Sequence, residues 1–282
     1  MPIGLLSSLV GRLGIKGTLL LAVVAGIGYF VLPAGFRQAI LGLLGAPQGA
    51  TAQGARAGSG SVCQSSPSNG KACDFMRAII ASTEDVWTAK FSAGALPRYG
   101  VAPGAYEKPT GVVFSDSVDT GGCGSATSAV GPFYCPGDKK LYVDPTFYDV
   151  MEKRLKAPGD FAQAYVIAHE VGHHIQNLIG SNRLTARGET KNQGSVRLEL
   201  QADCFAGVWG HTARADLAIT DEDLKEAVNA AHQIGDDALG HSNASDYTHG
   251  TSAQRMRWFR RGFDEGDARQ CDTFAVTKYA EL

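Results

Sequence analysis

The sequence predicts an α+β domain, mainly helical with a small sheet, preceded by one N-terminal transmembrane helix. Three observations predict it. Residues 17–36 form an uncharged, largely apolar run. Strand-like segments cluster before residue 145, and the chain beyond carries helical spacing with start and stop signals. With 282 residues and 44% hydrophobic content there is room for one sizeable folded domain plus appendages, and a net charge of −2 gives no electrostatic case for nucleic acid.

In residues 1–16, Arg12 and Lys16 favour a cytoplasmic N-terminus, with the bulk of the chain exported. Residues 17–36, at about 1.5 Å per residue, just span a bilayer core of roughly 30 Å. They are expected to anchor the chain in the cell membrane as a single pass, with the folded domain on the extracytoplasmic side. A cleaved signal peptide is the competing reading, but no clean small-x-small site follows the run closely. Residues 37–62 include a stretch rich in Gly, Ala, Gln and Ser that cannot bury a core, and read as a flexible tether. The folded domain is therefore 63–282.

Within it, Phe75, Ile79, Ile80, Val86 and Trp87 predict a helix over 74–91. A Pro- and Gly-rich loop follows, then a strand over 111–118. Phe133-Tyr134-Cys135 and Leu141-Tyr142-Val143 flank the turn composition Pro136-Gly137-Asp138 and read as a hairpin. Helices are expected over 145–156, from Asp160 to Gly180, and over 195–214, 221–238 and 251–265. Asp160 with Gln163, and Thr251 with Gln254, have capping-box spacing. Trp209, Trp258 and Phe259 are expected in the core.

The six cysteines suit an oxidising compartment. Short loops favour Cys63 with Cys73 and Cys123 with Cys135, leaving Cys204 for Cys271; free buried thiols are the alternative.

The chemistry concentrates in His169-Glu170-Val171-Gly172-His173. Histidines at i and i+4 share one helical face and can point at one metal ion, while Glu170 beside them can take a proton from a metal-activated water. A histidine six residues past His173, behind a glycine, would mark a metzincin; Ile179 and Gln176 stand there instead. The better source of a third ligand is Glu199, with Asp203 one turn on. On a mostly apolar helix, one carboxylate can bind metal while the other orients a ligating histidine. His174 points off the metal face, and His211, His232 and His241 are expected to be structural or exposed.

The run from Gly131 to Pro136, the run from Pro158 to His174, and Glu199-Leu200-Gln201-Ala202-Asp203-Cys204 closely resemble the bacterial putative neutral zinc metallopeptidase family. Thr248-His249-Gly250-Thr251-Ser252, Gln254-Arg255 and Cys271-Asp272-Thr273-Phe274 continue the match. The resemblance covers roughly residues 74–274 and implies a zincin-like metalloprotease domain of gluzincin type. It further implies a Zn²⁺ cofactor held by His169, His173 and Glu199, Glu170 as general base, and Asp203 as support for a ligand. His249, just before a helix that carries Arg255, resembles a histidine that steadies the oxyanion in membrane-bound gluzincins; a surface histidine in a polar loop is the alternative. In gluzincins an edge strand ahead of the zinc helix pairs with extended substrate, and the 133–143 hairpin is the candidate for that role.

The expected activity is peptide-bond hydrolysis by a membrane-anchored zinc metalloendopeptidase acting on a peptide or protein. The rival is a membrane-tethered zinc-binding interaction module that cleaves nothing. An intact general base, and three rather than four protein ligands, argue against the rival.

Overall fold

A computed structural model describes residues 67–100 and 102–282. The expected cytoplasmic segment (1–16), membrane anchor (17–36) and tether (37–62) lie outside the described residues. Among the described residues no helix is long and apolar enough to cross a membrane.

The chain opens on helix α1 (Pro67–Ser92) and continues through strands β1 (Thr110–Val113), β2 (Ser117–Asp119), β3 (Ser125–Thr127), β4 (Phe133–Cys135) and β5 (Lys140–Val143). The single strand expected over 111–118 is two strands. Asp116 between them has φ 63°, a left-handed conformation that interrupts an extended run, and its N–H donates to Asp144 Oδ2 at 3.0 Å. The expected hairpin is present, with β4 antiparallel to β5 and Tyr134 opposite Leu141. β1 lies parallel on the other side of β5, giving the order β1-β5-β4, and β2 with β3 forms a separate antiparallel ribbon. The central strand β5 accordingly buries Leu141, Tyr142 and Val143 in succession.

Helices follow: α2 (Thr146–Lys153), α3 (Asp160–Ile179), α4 (Lys191–Ala213), α5 (Asp221–Gln233) and α6 (Ser252–Glu265). This is the mainly helical α+β architecture expected. α2 stops short of residue 156. α4 begins ahead of residue 195 because Thr190 and Gln193 form a capping box there. The capping box expected from Asp160 and Gln163 does not form: Gly159 is the N-cap, and Phe161 N–H donates to Glu226 Oε2 of α5 at 3.2 Å. A neighbouring helix thus supplies the acceptor that the local sequence was expected to supply. Thr251 and Gln254 do form their box at the start of α6. α5 ends before residue 238 because the chain turns there to bring Asp236 under the loop 248–250.

Two glycine contacts set how closely the helices approach. A Cβ on Gly172 of α3 would lie 2.9 Å from Ala202 Cα of α4, and one on Gly262 of α6 would lie 1.9 Å from Cys204 O of α4. Only glycine lets these backbones touch, which makes α4 the common partner of the metal-motif helix and of α6. The Cys204–Cys271 disulfide fastens α4 to the C-terminal segment, and Cys123–Cys135 fastens the loop after β2 to β4. Cys73 is disulfide-bonded as well; its expected partner Cys63 lies outside the described residues. Trp209, Trp258 and Phe259 are buried, as expected.

Candidate active site

α3 presents Val166, His169, Glu170 and His173 along one face, and the Gly172–Ala202 contact sets Glu199 and Asp203 of α4 against it. His169 Nε2 lies 3.2 Å from Glu199 Oε2 and His173 Nε2 lies 3.4 Å from Glu199 Oε1. His169, Glu170 and His173 each offer a donor atom within 4.8 Å of the others. The structure therefore gathers all five residues predicted around the motif into one constellation. The two carboxylates nearest the imidazoles are not equivalent. Glu199 faces both Nε2 atoms, whereas Glu170 Oε2 accepts the backbone N–H of Tyr134 on β4 at 2.8 Å.

Each imidazole is oriented through its other nitrogen. His169 Nδ1 donates to Asp203 Oδ1 at 2.8 Å. His173 Nδ1 donates to Gln176 Oε1 at 2.9 Å, and that amide is itself fixed because its Nε2 donates to Leu198 O at 2.6 Å. With both Nδ1 atoms engaged by Asp203 and Gln176, both Nε2 atoms are left facing Glu199. Asp203 is fully buried and accepts from Arg255 Nε and Nη2, both at 2.9 Å, and from Tyr165 Oη at 2.6 Å. Arg255 Nη1 also donates to Ile234 O at 3.2 Å.

Burial pushes the Glu170 carboxyl above its ordinary value despite the two histidines that favour its ionised form. Burial would lower the His169 imidazole, but Asp203 and Glu199 outweigh it and raise the ring to about 10. Burial would likewise raise Asp203, and the Arg255 guanidinium more than offsets it, holding that carboxyl below its usual range.

His249 lines the same cleft but makes its hydrogen bonds elsewhere. Its Nδ1 lies 3.2 Å from Asp236 Oδ1, and the ring is 47% exposed while Asp236 is buried. Asp236 Oδ2 accepts the backbone N–H groups of Thr248, His249 and Gly250 at 2.8, 2.7 and 2.9 Å. The loop is thus wrapped around one carboxylate, which leaves His249 Nε2 as the ring atom free to face the cleft. His174 bonds Tyr134 Oη and Glu107 O, away from the metal face as expected, and His211 bonds Phe263 O.

Sequence reasoning missed Tyr134 N–H, Tyr165, Gln176 and Asp236. Gln176, one turn past His173, and Tyr165, one turn before His169, were findable from helical spacing. Asp236 had no local signal, because its partners lie beyond a loop. β4 is a sheet edge facing α3, but its outward donor, Tyr134 N–H, is already engaged by Glu170. The residues two positions to either side, Pro132 and Pro136, have no N–H at all.

Two imidazoles and a carboxylate converging on one point form a donor set for a divalent transition metal. The geometry agrees: Glu199 lies against both imidazole Nε2 atoms, and Glu170 offers a further donor atom within 4.8 Å of theirs, so the residues present fit a dication. The chain belongs to the putative neutral zinc metallopeptidase family, which matches residues 4–274. It is 47% identical over 220 residues to the uncharacterized protein YpfJ of Escherichia coli (strain K12), covering 74% of each chain. To the uncharacterized protein Rv2575 of Mycobacterium tuberculosis it is 43% identical over 188 residues, 61% of this chain and 64% of that one. No solved structure matches. The family implies zinc as the ion, and a peptide or protein as the substrate.

Proposed function

We propose that this chain is a zinc-dependent endopeptidase in which His169, His173 and Glu199 hold the metal and Glu170 is the general base. The observation that carries the reading is the division of labour between the two glutamates. Glu199 lies against both imidazole Nε2 atoms, while the Tyr134 N–H draws Glu170 to the cleft side. Zinc bound there would supply Lewis acidity, making a water more acidic and polarising a carbonyl. Glu170, its carboxyl raised by burial, takes the proton of the attacking water and then delivers it to the leaving amine. Asp203 and Gln176 hold the two imidazoles in the tautomer that leaves Nε2 available. His249, anchored by Asp236, offers Nε2–H in its protonated form to the oxygen that gains negative charge.

The Cys123–Cys135 and Cys204–Cys271 bridges fit an oxidising compartment, which supports an anchor at residues 17–36 with residues 63–282 on the extracytoplasmic side. A purely structural zinc site would have no use for Glu170 beside the donors.

The deciding experiment compares wild type with Glu170→Gln. Both are expected to retain one zinc by metal analysis, and the variant is expected to lose about 10²–10⁴-fold in the hydrolysis of peptide mixtures. Equal cleavage by the two proteins would end the proposal.

A further inference from the structure

The cleft beside the metal donors encloses about 560 Å³, and its two halves differ in chemistry. One half is the polar constellation described above. The other is walled by Phe147, Val150, Leu155, Val166, Ile234 and Leu239. Val166 stands one turn before Glu170 on α3, so the apolar wall begins next to the general base. Phe147 and Val150, three apart on α2, share a face and form the opposite side together with Leu155. Ile234 is held in place by the Arg255–carbonyl hydrogen bond, which couples this wall to the Asp203 side of the site.

These side chains are not sealed by the domain. Phe147, Val150, Leu155 and Ile234 are only part-buried, and Leu239 is 46% exposed. Leu239 and Val130 (52%), also on the cleft, are two of the three large hydrophobics left exposed among the described residues. Apolar surface collected in a concave site beside convergent polar groups is surface kept for a ligand. The charged side chains of the cleft are all committed: Glu199 faces the histidines, Glu170 holds the Tyr134 N–H, and Arg255 is paired with Asp203. Among the described lining residues no lysine and no unpaired arginine stands ready for a terminal carboxylate, His249 is paired with Asp236, and no free acid awaits a terminal amine.

Resting on the peptidase reading, we infer that the substrate is an interior segment of a polypeptide carrying a bulky apolar residue, such as Leu, Ile, Phe or Met, adjacent to the scissile bond. That side chain enters the pocket formed by α2, Val166, Ile234 and Leu239, and the uncharged flanking backbone is what the cleft admits.

The test uses the zinc-loaded full chain on a mixed library of peptides with blocked termini, read by mass spectrometry. Cut sites are expected to carry a large apolar residue on one fixed side of the broken bond. Val150→Asp and Leu239→Asp, both at positions open to solvent, are expected to reduce the kcat/KM ratio between Leu-containing and Asp-containing peptides by about 10-fold or more. Calorimetric binding of the same two peptides to Glu170→Gln gives a readout free of turnover, and the Leu peptide is expected to bind at least about 10-fold tighter. Cleavage with no apolar preference, or with a ratio unmoved in both variants, overturns the pocket and leaves the peptidase reading standing. Wild type that carries zinc yet cuts nothing overturns the peptidase reading, and the pocket is then decided by the binding ratio alone.

Discussion

Gly172→Ala isolates the contact that assembles the site. The new Cβ would lie 2.9 Å from Ala202 Cα, 3.0 Å from its O and 3.1 Å from its Cβ, mostly backbone that cannot swing aside. Ordinary carbon contacts begin near 3.5 Å, so α3 and α4 must separate by about half an ångström. Helix propensity favours alanine by about 1 kcal/mol, while overpacking costs about 1–3 kcal/mol. The net loss is therefore about 0–2 kcal/mol, a melting shift of at most about 8 °C in a domain of this size. The metal is more exacting. His169 and His173 sit on one side of that contact and Glu199 on the other, and coordination distances tolerate only about ±0.2 Å. Zinc affinity, measured by competition against a chromophoric chelator, is expected to fall at least about 10-fold while thermal unfolding stays cooperative. A Gly172→Ala protein that binds zinc as tightly as wild type would refute the claim that this helix contact sets the donor spacing.

Asp203→Asn leaves the buried Arg255 guanidinium without its carboxylate, so chemical denaturation should show a loss of about 3–5 kcal/mol, with zinc bound about 10–100-fold more weakly. His249→Ala should lower kcat by about 10²–10³-fold and leave zinc content unchanged by metal analysis. For Asp236, burial alone would raise the carboxyl, but the His249 ring and the N–H groups of His249 and Gly250 hold it below the ordinary range. Such a group adds stability above its unfolded value of about 3.9 that is lost as pH falls through the lower folded value. In urea melts, the advantage of wild type over Asp236→Asn should hold at neutral pH and shrink only below about pH 4. Opening Cys204–Cys271, which closes 67 residues, should cost about 4 kcal/mol on the chain-entropy estimate, as judged by melts of a Cys204→Ser/Cys271→Ser double variant.

What could be read from the sequence was what local spacing encodes. The i, i+4 pairs His169/His173 and Glu199/Asp203 are facts of helix geometry, and Thr251 with Gln254 marks a helix start without outside help. The hairpin at 133–143 declared itself through two short apolar runs flanking the turn composition Pro136-Gly137-Asp138. What escaped depends on contacts between distant segments. The N-terminus of α3 is satisfied by Glu226, 65 residues away, so a plausible local cap at Asp160 was misleading. The strand over 111–118 breaks at Asp116 because Asp144, 28 residues on, takes its N–H. Asp236 matters only because the loop carrying His249 folds back over it, and nothing near residue 236 announces that. The start of α4 was a local failure: Thr190 and Gln193 carried the signal, but it lay ahead of the apolar run that was read as the helix.

The outer edge of β4 has a consequence for how copies of the chain treat one another. An unpaired strand is where identical molecules can zip together, each supplying donors to the other's acceptors. Here the donor column is blank at Pro132 and Pro136 and occupied at Tyr134, so two such edges would set carbonyl against carbonyl. A foreign extended chain could donate its own N–H groups to the carbonyls of this edge, but its carbonyls would find no donor there either. Self-association through this edge of the sheet is thereby starved of donors.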